Sequence, residues 1–171
     1  SIQSPKRPND QSPKRPNHQS PDSVTLQDTY SLLVAIESQF DNNAAVISYA
    51  TEAARLAHQL DNPVEVGRME ATIAGVMATM GKDEEGIQRL RNVIEEMRQK
   101  DSFEGVNAYK YTTMKLLHIL LESKRHAEIV PLCESLLQRI DELDHHPERF
   151  SITEGFEDRK SGSAGMPRPI S

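Results

Sequence analysis

Three stretches of the chain align on one another without a gap, and each has the pattern of two helices joined by a short turn. They begin at Leu33, Ile73 and Leu116, so they recur after 40 and then 43 residues. Repetition at such a period is typical of folds in which each helical pair buries its apolar face against the next pair. The sequence therefore predicts an all-α protein built of stacked antiparallel helical hairpins.

Six helices are predicted, because apolar residues recur three and four positions apart in six consecutive segments. Between Gln27 and His145 only Pro63 and Pro131 could interrupt a helix. The predicted helices span residues 28–40, 44–60, 64–80, 83–99, 104–122 and 126–143. They pair into hairpins over residues 27–60, 64–100 and 104–143, within one folded domain at 27–146.

The second helix of each predicted hairpin has small or aliphatic residues at aligned positions. These positions are Val46, Ala50 and Ala53, then Gly86, Leu90 and Val93, then Ile129, Cys133 and Leu136. Side chains of this size allow close approach between helices, so we expect all nine to face inward.

The two ends of the chain have a different composition. Residues 1–26 contain the polar heptapeptide QSPKRPN twice, and residues 147–171 have scattered glycine and proline without a sustained apolar period. Such segments have too little apolar surface to offset the conformational entropy lost on folding. Both tails are predicted to be disordered, and a passive linker is the simplest interpretation of the first.

Two further interpretations of the first tail stay open. Ser4 and Ser12 each precede a proline and two basic residues, as in sites of proline-directed kinases, so both are candidate phosphorylation sites. The tail's four basic residues, Lys6, Arg7, Lys14 and Arg15, could also contact nucleic acid weakly. The formal net charge of −6 otherwise makes nucleic acid an improbable partner.

The sequence predicts no catalytic site, no metal site and no cofactor. His145 and His146 are adjacent, so they point in different directions and would bind a metal only weakly. Cys133 is the one cysteine, which excludes an internal disulfide; its core position argues against a catalytic pairing with His118 or His126. No apolar run approaches the roughly 18 residues that span a bilayer, so we expect no membrane partner and a cytoplasmic location.

The segment from Ile73 to Glu96 resembles the tetratricopeptide repeat. It matches the family pattern of small and large core residues around a turn glycine at Ala74, Met77, Gly81, Gly86, Leu90 and Val93. The other two copies are degenerate, with Asp41 and Lys124 at the glycine position, and the spacing exceeds the family's usual repeat of about 34 residues. The resemblance implies a right-handed α-solenoid whose first helices line a concave groove for a peptide or helix.

The repeat register places six candidate peptide-binding residues in that groove. They are Ser31, Arg68, Tyr111, Lys115, His118 and Glu122. Arg68 with Lys115 could hold a carboxylate. Ala71, Gly75 and Ala78 share the predicted groove face, and the alternative for these is that their small size lets helices approach. Ser31, Ala35, Ala71 and Gly75 stand where the family's chaperone-tail clamp has lysines and asparagines, and Lys115 is left as the one match, which disfavours a co-chaperone role.

These patterns predict a non-enzymatic scaffold or adaptor that binds a protein or peptide. The alternative is a sensory or regulatory segment of a larger signalling or transcriptional protein, which fits a chain that starts with Ser1 instead of Met. The predicted last helix is not followed by a polar capping helix. It should therefore support a homodimer, or be covered by Phe150, Ile152 and Phe156.

Overall fold

The computed structural model describes residues 21–145, and this range consists of six α-helices and one 3-10 turn. The helices are α1 (Pro21–Gln39), α2 (Asn43–Gln59), α3 (Pro63–Thr79), α4 (Asp83–Arg98), α5 (Phe103–Glu122) and α6 (Ile129–His145), with the 3-10 turn at His126–Glu128. No strand occurs between residues 21 and 145. The all-α prediction is confirmed, and successive helices pack against each other in chain order.

The helix bounds agree with the predictions to within one residue for α2 to α5, and differ at the two ends of the array. The structure starts α1 at Pro21, so residues 21–26, assigned to the tail from sequence, are helical. Proline is suited to a first helical turn, and Asp22 beside it favours the positive end of the helix dipole. At the other end, α6 is preceded by the 3-10 turn, and Pro131 lies in its first turn, where no amide is needed.

Two helix starts are capped by side chains. The Asn62 side chain accepts a hydrogen bond from the Glu65 amide at 3.2 Å, directly before Pro63. The Ser102 hydroxyl accepts one from the Gly105 amide at 3.0 Å. Each cap satisfies an amide that has no partner within the helix.

The turn inside each hairpin has the same backbone conformation. Asp41, Gly81 and Lys124, which the sequence alignment places at equivalent positions, all have positive φ, at 54°, 77° and 56°. In each case the next amide donates to a carbonyl five residues back: Asn42 to Glu37 at 3.1 Å, Lys82 to Met77 at 2.8 Å, and Arg125 to Leu120 at 2.8 Å. Asp61, between the first and second hairpins, has the same turn, with φ at 49° and the Asn62 amide donating to the Ala57 carbonyl at 2.9 Å. This turn therefore ends α1, α2, α3 and α5, and glycine occupies one of its four copies.

The core lies between the hairpins and has two parts. One joins α1 and α2 to α3, with Val46, Ala50 and Ile73 at its centre. The other joins α3, α4 and α5, with Leu90, Tyr109 and Leu116 among its buried residues. Since α3 packs against α2, α4 and α5, it links the two parts.

The nine aligned positions of the second helices are not equally buried. The six in α2 and α4 are buried, as predicted, whereas Ile129, Cys133 and Leu136 of α6 are half-buried. On α6 the only fully buried residue is Arg139, which donates to Glu142, Asp101 and the Lys100 carbonyl. The last helix therefore packs on the core through half-buried apolar residues, and Arg139 ties it to the turn before α5.

Candidate functional site

A groove of about 610 Å³ runs between α3 and α5, the first helices of the second and third hairpins. Its walls combine small and polar side chains. They are Thr72, Gly75, Val76, Ala78 and Thr79 from α3, Lys115, His118, Ile119 and Glu122 from α5, and Asp83 and Ser123 at one end. An open cleft of this size, with few bulky side chains, can hold a segment of extended peptide.

Gly75 makes room for Lys115. A Cβ atom at residue 75 would lie 2.9 Å from the Lys115 Nζ and 3.0 Å from its Cε, closer than ordinary contacts. The lysine side chain therefore lies across the glycine, with its ammonium group on the groove wall. Any larger residue at position 75 would push that ammonium group aside.

The groove carries charge of both signs. Among residues 21–145, neither Lys115 nor Glu122 has an oppositely charged side chain within ion-pair distance, although both line the groove. The two are seven residues apart on α5, which is about 10 Å along a helix axis. An unpaired cation and an unpaired anion at this separation form a polar recognition pattern for a ligand with the opposite arrangement.

One end of the groove is closed by a contact between hairpins. The Ser123 hydroxyl, just after α5, donates to Asp83 Oδ2, at the start of α4, at 2.7 Å. This hydrogen bond fixes the distance between the two hairpin turns at that end. A ligand would therefore lie on the Lys115 side of the Ser123–Asp83 hydrogen bond.

A second polar cluster lies outside the groove and joins α1 to α3. Glu65 Oε2 accepts hydrogen bonds from Gln27 Nε2 at 3.1 Å, Ser31 Oγ at 3.3 Å and Arg68 Nη2 at 3.0 Å. Gln27 is buried, and its amide also donates to Ser31 Oγ at 3.0 Å. The charge of Arg68 is thus matched by Glu65, which leaves Lys115 as the better-placed cation for a ligand.

The six predicted binding residues fall into three sets. Lys115, His118 and Glu122 line the groove, as the repeat register indicated. Ser31 and Arg68 meet at the Glu65 carboxylate instead. Tyr111 is on α5 and 52% exposed, but it does not line the groove.

The predicted groove face of α3 needs one correction. Ala71, assigned to the groove with Gly75 and Ala78, is 1% exposed and belongs to the core. Its neighbour Thr72 and the equivalent Thr79 line the groove in its place. The two threonines are seven residues apart on one helix face, a spacing that is visible in the sequence. The sequence-based prediction of the groove did not include them, and it did not include Asp83 or Ser123.

The remaining candidates from the sequence lie elsewhere. Cys133 is half-buried on α6 and does not line the groove. The described residues do not include Ser4, Ser12 or the basic residues of the first tail. They also do not include His146, Phe150, Ile152 and Phe156. In the part of the chain that the structure describes, no three His, Cys, Asp or Glu side chains are grouped so as to hold a metal. No helix there has the length and apolar character needed to cross a membrane.

No family model, curated protein or solved structure matches the chain.

Proposed function

We propose that the protein is a non-enzymatic interaction scaffold of the tetratricopeptide type, which binds a peptide or helix of a partner protein in the groove between α3 and α5. The observation that carries the proposal is the groove itself. Lys115 and Glu122, which form no ion pair within residues 21–145, lie along one wall, and small side chains lie along the other. In a stacked array of this type, first helices line the concave face of a right-handed superhelix. The proposal places the ligand on that face.

The tetratricopeptide assignment is supported by the backbone of the turns. Positive φ recurs at the aligned positions Asp41, Gly81 and Lys124, and small or aliphatic residues are buried at the aligned positions of α2 and α4. The first copy, whose sequence is degenerate, shares both features with the second copy. The third copy shares the turn, but its aligned positions in α6 are half-buried.

The charge pattern suggests the chemistry of the ligand. An extended chain advances about 3.3 Å per residue, so the separation of roughly 10 Å between Lys115 and Glu122 corresponds to about three residues. The ligand would place a carboxylate opposite Lys115 and a basic group about three residues away, opposite Glu122. Small side chains between them would fit against Gly75 and Ala78.

The test uses peptides selected from a random display library on the full chain, with affinities measured by fluorescence anisotropy. Lys115→Ala and Glu122→Gln should each weaken binding about tenfold, in the range expected for one charged hydrogen bond. Lys82→Ala is the matched control, because Lys82 is exposed and does not line the groove. Exchanging both charges, as Lys115→Glu with Glu122→Lys, should favour peptides with the reversed charge order.

The proposal fails if no peptide is selected, or if selected peptides bind the Lys115→Ala and Glu122→Gln variants as tightly as the original chain. Equal losses with Lys82→Ala would indicate general electrostatic attraction and would also exclude the groove.

A further inference from the structure

His118 lies on the α5 wall of the groove, between the two charged side chains that are proposed to bind the ligand. It is three residues after Lys115 and four residues before Glu122, so all three lie on one face of α5. His118 is exposed, and it makes no hydrogen bond or ion pair with the other residues between 21 and 145. Its imidazole is therefore open to a ligand that fills the groove.

The rest of the groove supplies few ionisable groups. The α3 wall consists of threonine, glycine, valine and alanine residues, and α6 contributes none of the lining residues. At the closed end, Asp83 accepts the hydrogen bond from Ser123. The charged groups that share the groove with the histidine are Lys115, Glu122 and Asp83, which together carry one net negative charge.

Protonation of His118 would change this charge balance. An imidazole gains its proton between about pH 8 and pH 5, a range in which lysine, glutamate and aspartate side chains ordinarily keep their charges. The added positive charge would bring the groove from one net negative charge to neutrality. It would attract a ligand carboxylate opposite Lys115, and it would weaken the attraction of Glu122 for a basic group of the ligand. Both effects favour acidic over basic groups in the ligand.

We infer that His118 sets the charge preference of the groove, so that the groove favours a more acidic peptide at lower pH. The inference rests on the proposed function, because it needs a peptide in the groove, and it adds a residue that selects among peptides. The effect is a few-fold change in relative affinity, because solvent screens a charge at an exposed position.

The test uses a peptide selected on the full chain at pH 7, and a second peptide in which the acidic residue that requires Lys115 is replaced by its amide. Fluorescence anisotropy measures the affinity of both peptides at pH 8 and at pH 5.5, where a peptide carboxylate is still largely ionised. In the original chain, the advantage of the carboxylate over the amide should grow about twofold to fivefold as the pH falls.

Three variants identify the group that responds to pH. In His118→Gln the advantage of the carboxylate should stay constant between the two pH values. In His118→Lys, which has a permanent charge, the larger advantage should already be present at pH 8. His126→Gln is the matched control, because His126 is exposed in the 3-10 turn and does not line the groove. This control should respond to pH as the original chain does.

Two results would overturn the inference alone. The carboxylate advantage could grow equally in His118→Gln, or the growth could be lost equally in His126→Gln; in both cases the response would come from elsewhere in the chain. The proposed function stands in these cases if Lys115→Ala still weakens binding. If no peptide is selected, or if Lys115→Ala leaves the affinity unchanged, the proposed function is wrong and the inference is wrong with it.

Discussion

Gly86 and Gly75 both lie inside helices, but what surrounds them differs. A Cβ atom at Gly86 would lie 2.8 Å from the Ala74 carbonyl oxygen, and this backbone oxygen cannot move unless α3 and α4 separate. At Gly75 the nearest atoms belong to the flexible end of the Lys115 side chain. Gly86 is thus required for helix packing, whereas Gly75 governs the position of a side chain in the groove.

The Gly86→Ala substitution should therefore destabilise the protein. We expect the free energy of unfolding to fall by about 1–3 kcal/mol, the usual cost of overpacking, even though alanine favours a helix by about 1 kcal/mol over glycine. Urea denaturation followed by circular dichroism measures the change. Gly75→Ala is the control; it should keep or slightly raise stability while weakening peptide binding through displacement of Lys115. An equal loss of stability in both variants would contradict this assignment of roles.

For individual residues, the sequence predicted part of the groove lining and missed the rest. Lys115, His118 and Glu122, which the register assigned to the groove, line the cleft between α3 and α5 because they share one face of α5. The register failed for Ala71, because alanine suits both a groove and a tight helix contact. The position of a residue within a repeat does not indicate how many helices surround α3. The contact between α3 and α5 buries Ala71.

The turns inside the hairpins show how an element can keep its geometry while its sequence changes. Lys124 occupies a left-handed conformation that costs an ordinary residue about 1–2 kcal/mol, whereas glycine adopts it without strain. Lys124→Gly should raise the free energy of unfolding by about 0.5–1 kcal/mol, after the greater entropy of glycine in the unfolded chain is subtracted. Gly81→Ala should lower it by a similar amount. Urea midpoints check both, and a loss of stability in Lys124→Gly would show that its side chain makes a stabilising contact.

An ion-pair network joins the second and third hairpins. Arg125 binds Glu84 of α4 at 2.5 Å and also Glu128, which is in turn 2.7 Å from Arg91. The hydrogen bond from Arg125 holds the pKa of Glu128 below its ordinary value, and the positive charge of Arg91 adds to this effect. Since the folded state favours the ionised carboxylate, the contribution of Glu128 to stability is present above its ordinary pKa of 4.5 and is lost as the pH falls through the lowered value.

Glu128→Gln should consequently be less stable than the original chain at pH 7, and the difference should disappear in acid. Urea denaturation at several pH values below 7 measures it. Glu134→Gln serves as the control, because Glu134 is exposed on α6 and makes no ion pair among residues 21–145. A difference between Glu128→Gln and the original chain that stays constant with pH would mean that the carboxylate acts through packing and not through charge.

At the level of the elements, the sequence predicted the central helices well and the terminal ones less well. Pro63 at the start of α3 and Ser102 before α5 leave little freedom in where these two helices start. Helix α1 was predicted to start too late because the residues between Pro21 and Gln27 are mostly polar. Pro21 and Asp22 suit the first turn of a helix, but they contribute no apolar period to the sequence.

For the whole molecule, burial decreases from the centre toward the last helix. Helix α3 packs against α2, α4 and α5 and has both parts of the core on its sides, and Ile73 and Ala74 are fully buried. Helix α6 has none of its apolar residues fully buried, and it exposes Val130 and Leu137. A helix with fewer buried apolar contacts opens more easily than the centre of the fold.

Native-state hydrogen exchange should show this gradient directly. The amides of α6 should exchange through local opening at a lower free energy than those of α3 and α4, which should exchange only on global unfolding. Arg139→Met should lower protection in α6 further, because Arg139 ties α6 to Asp101 and the Lys100 carbonyl, and should change α2 little. Protection in α6 equal to that in α4, with every helix affected alike by Arg139→Met, would instead show that the six helices unfold as one cooperative unit.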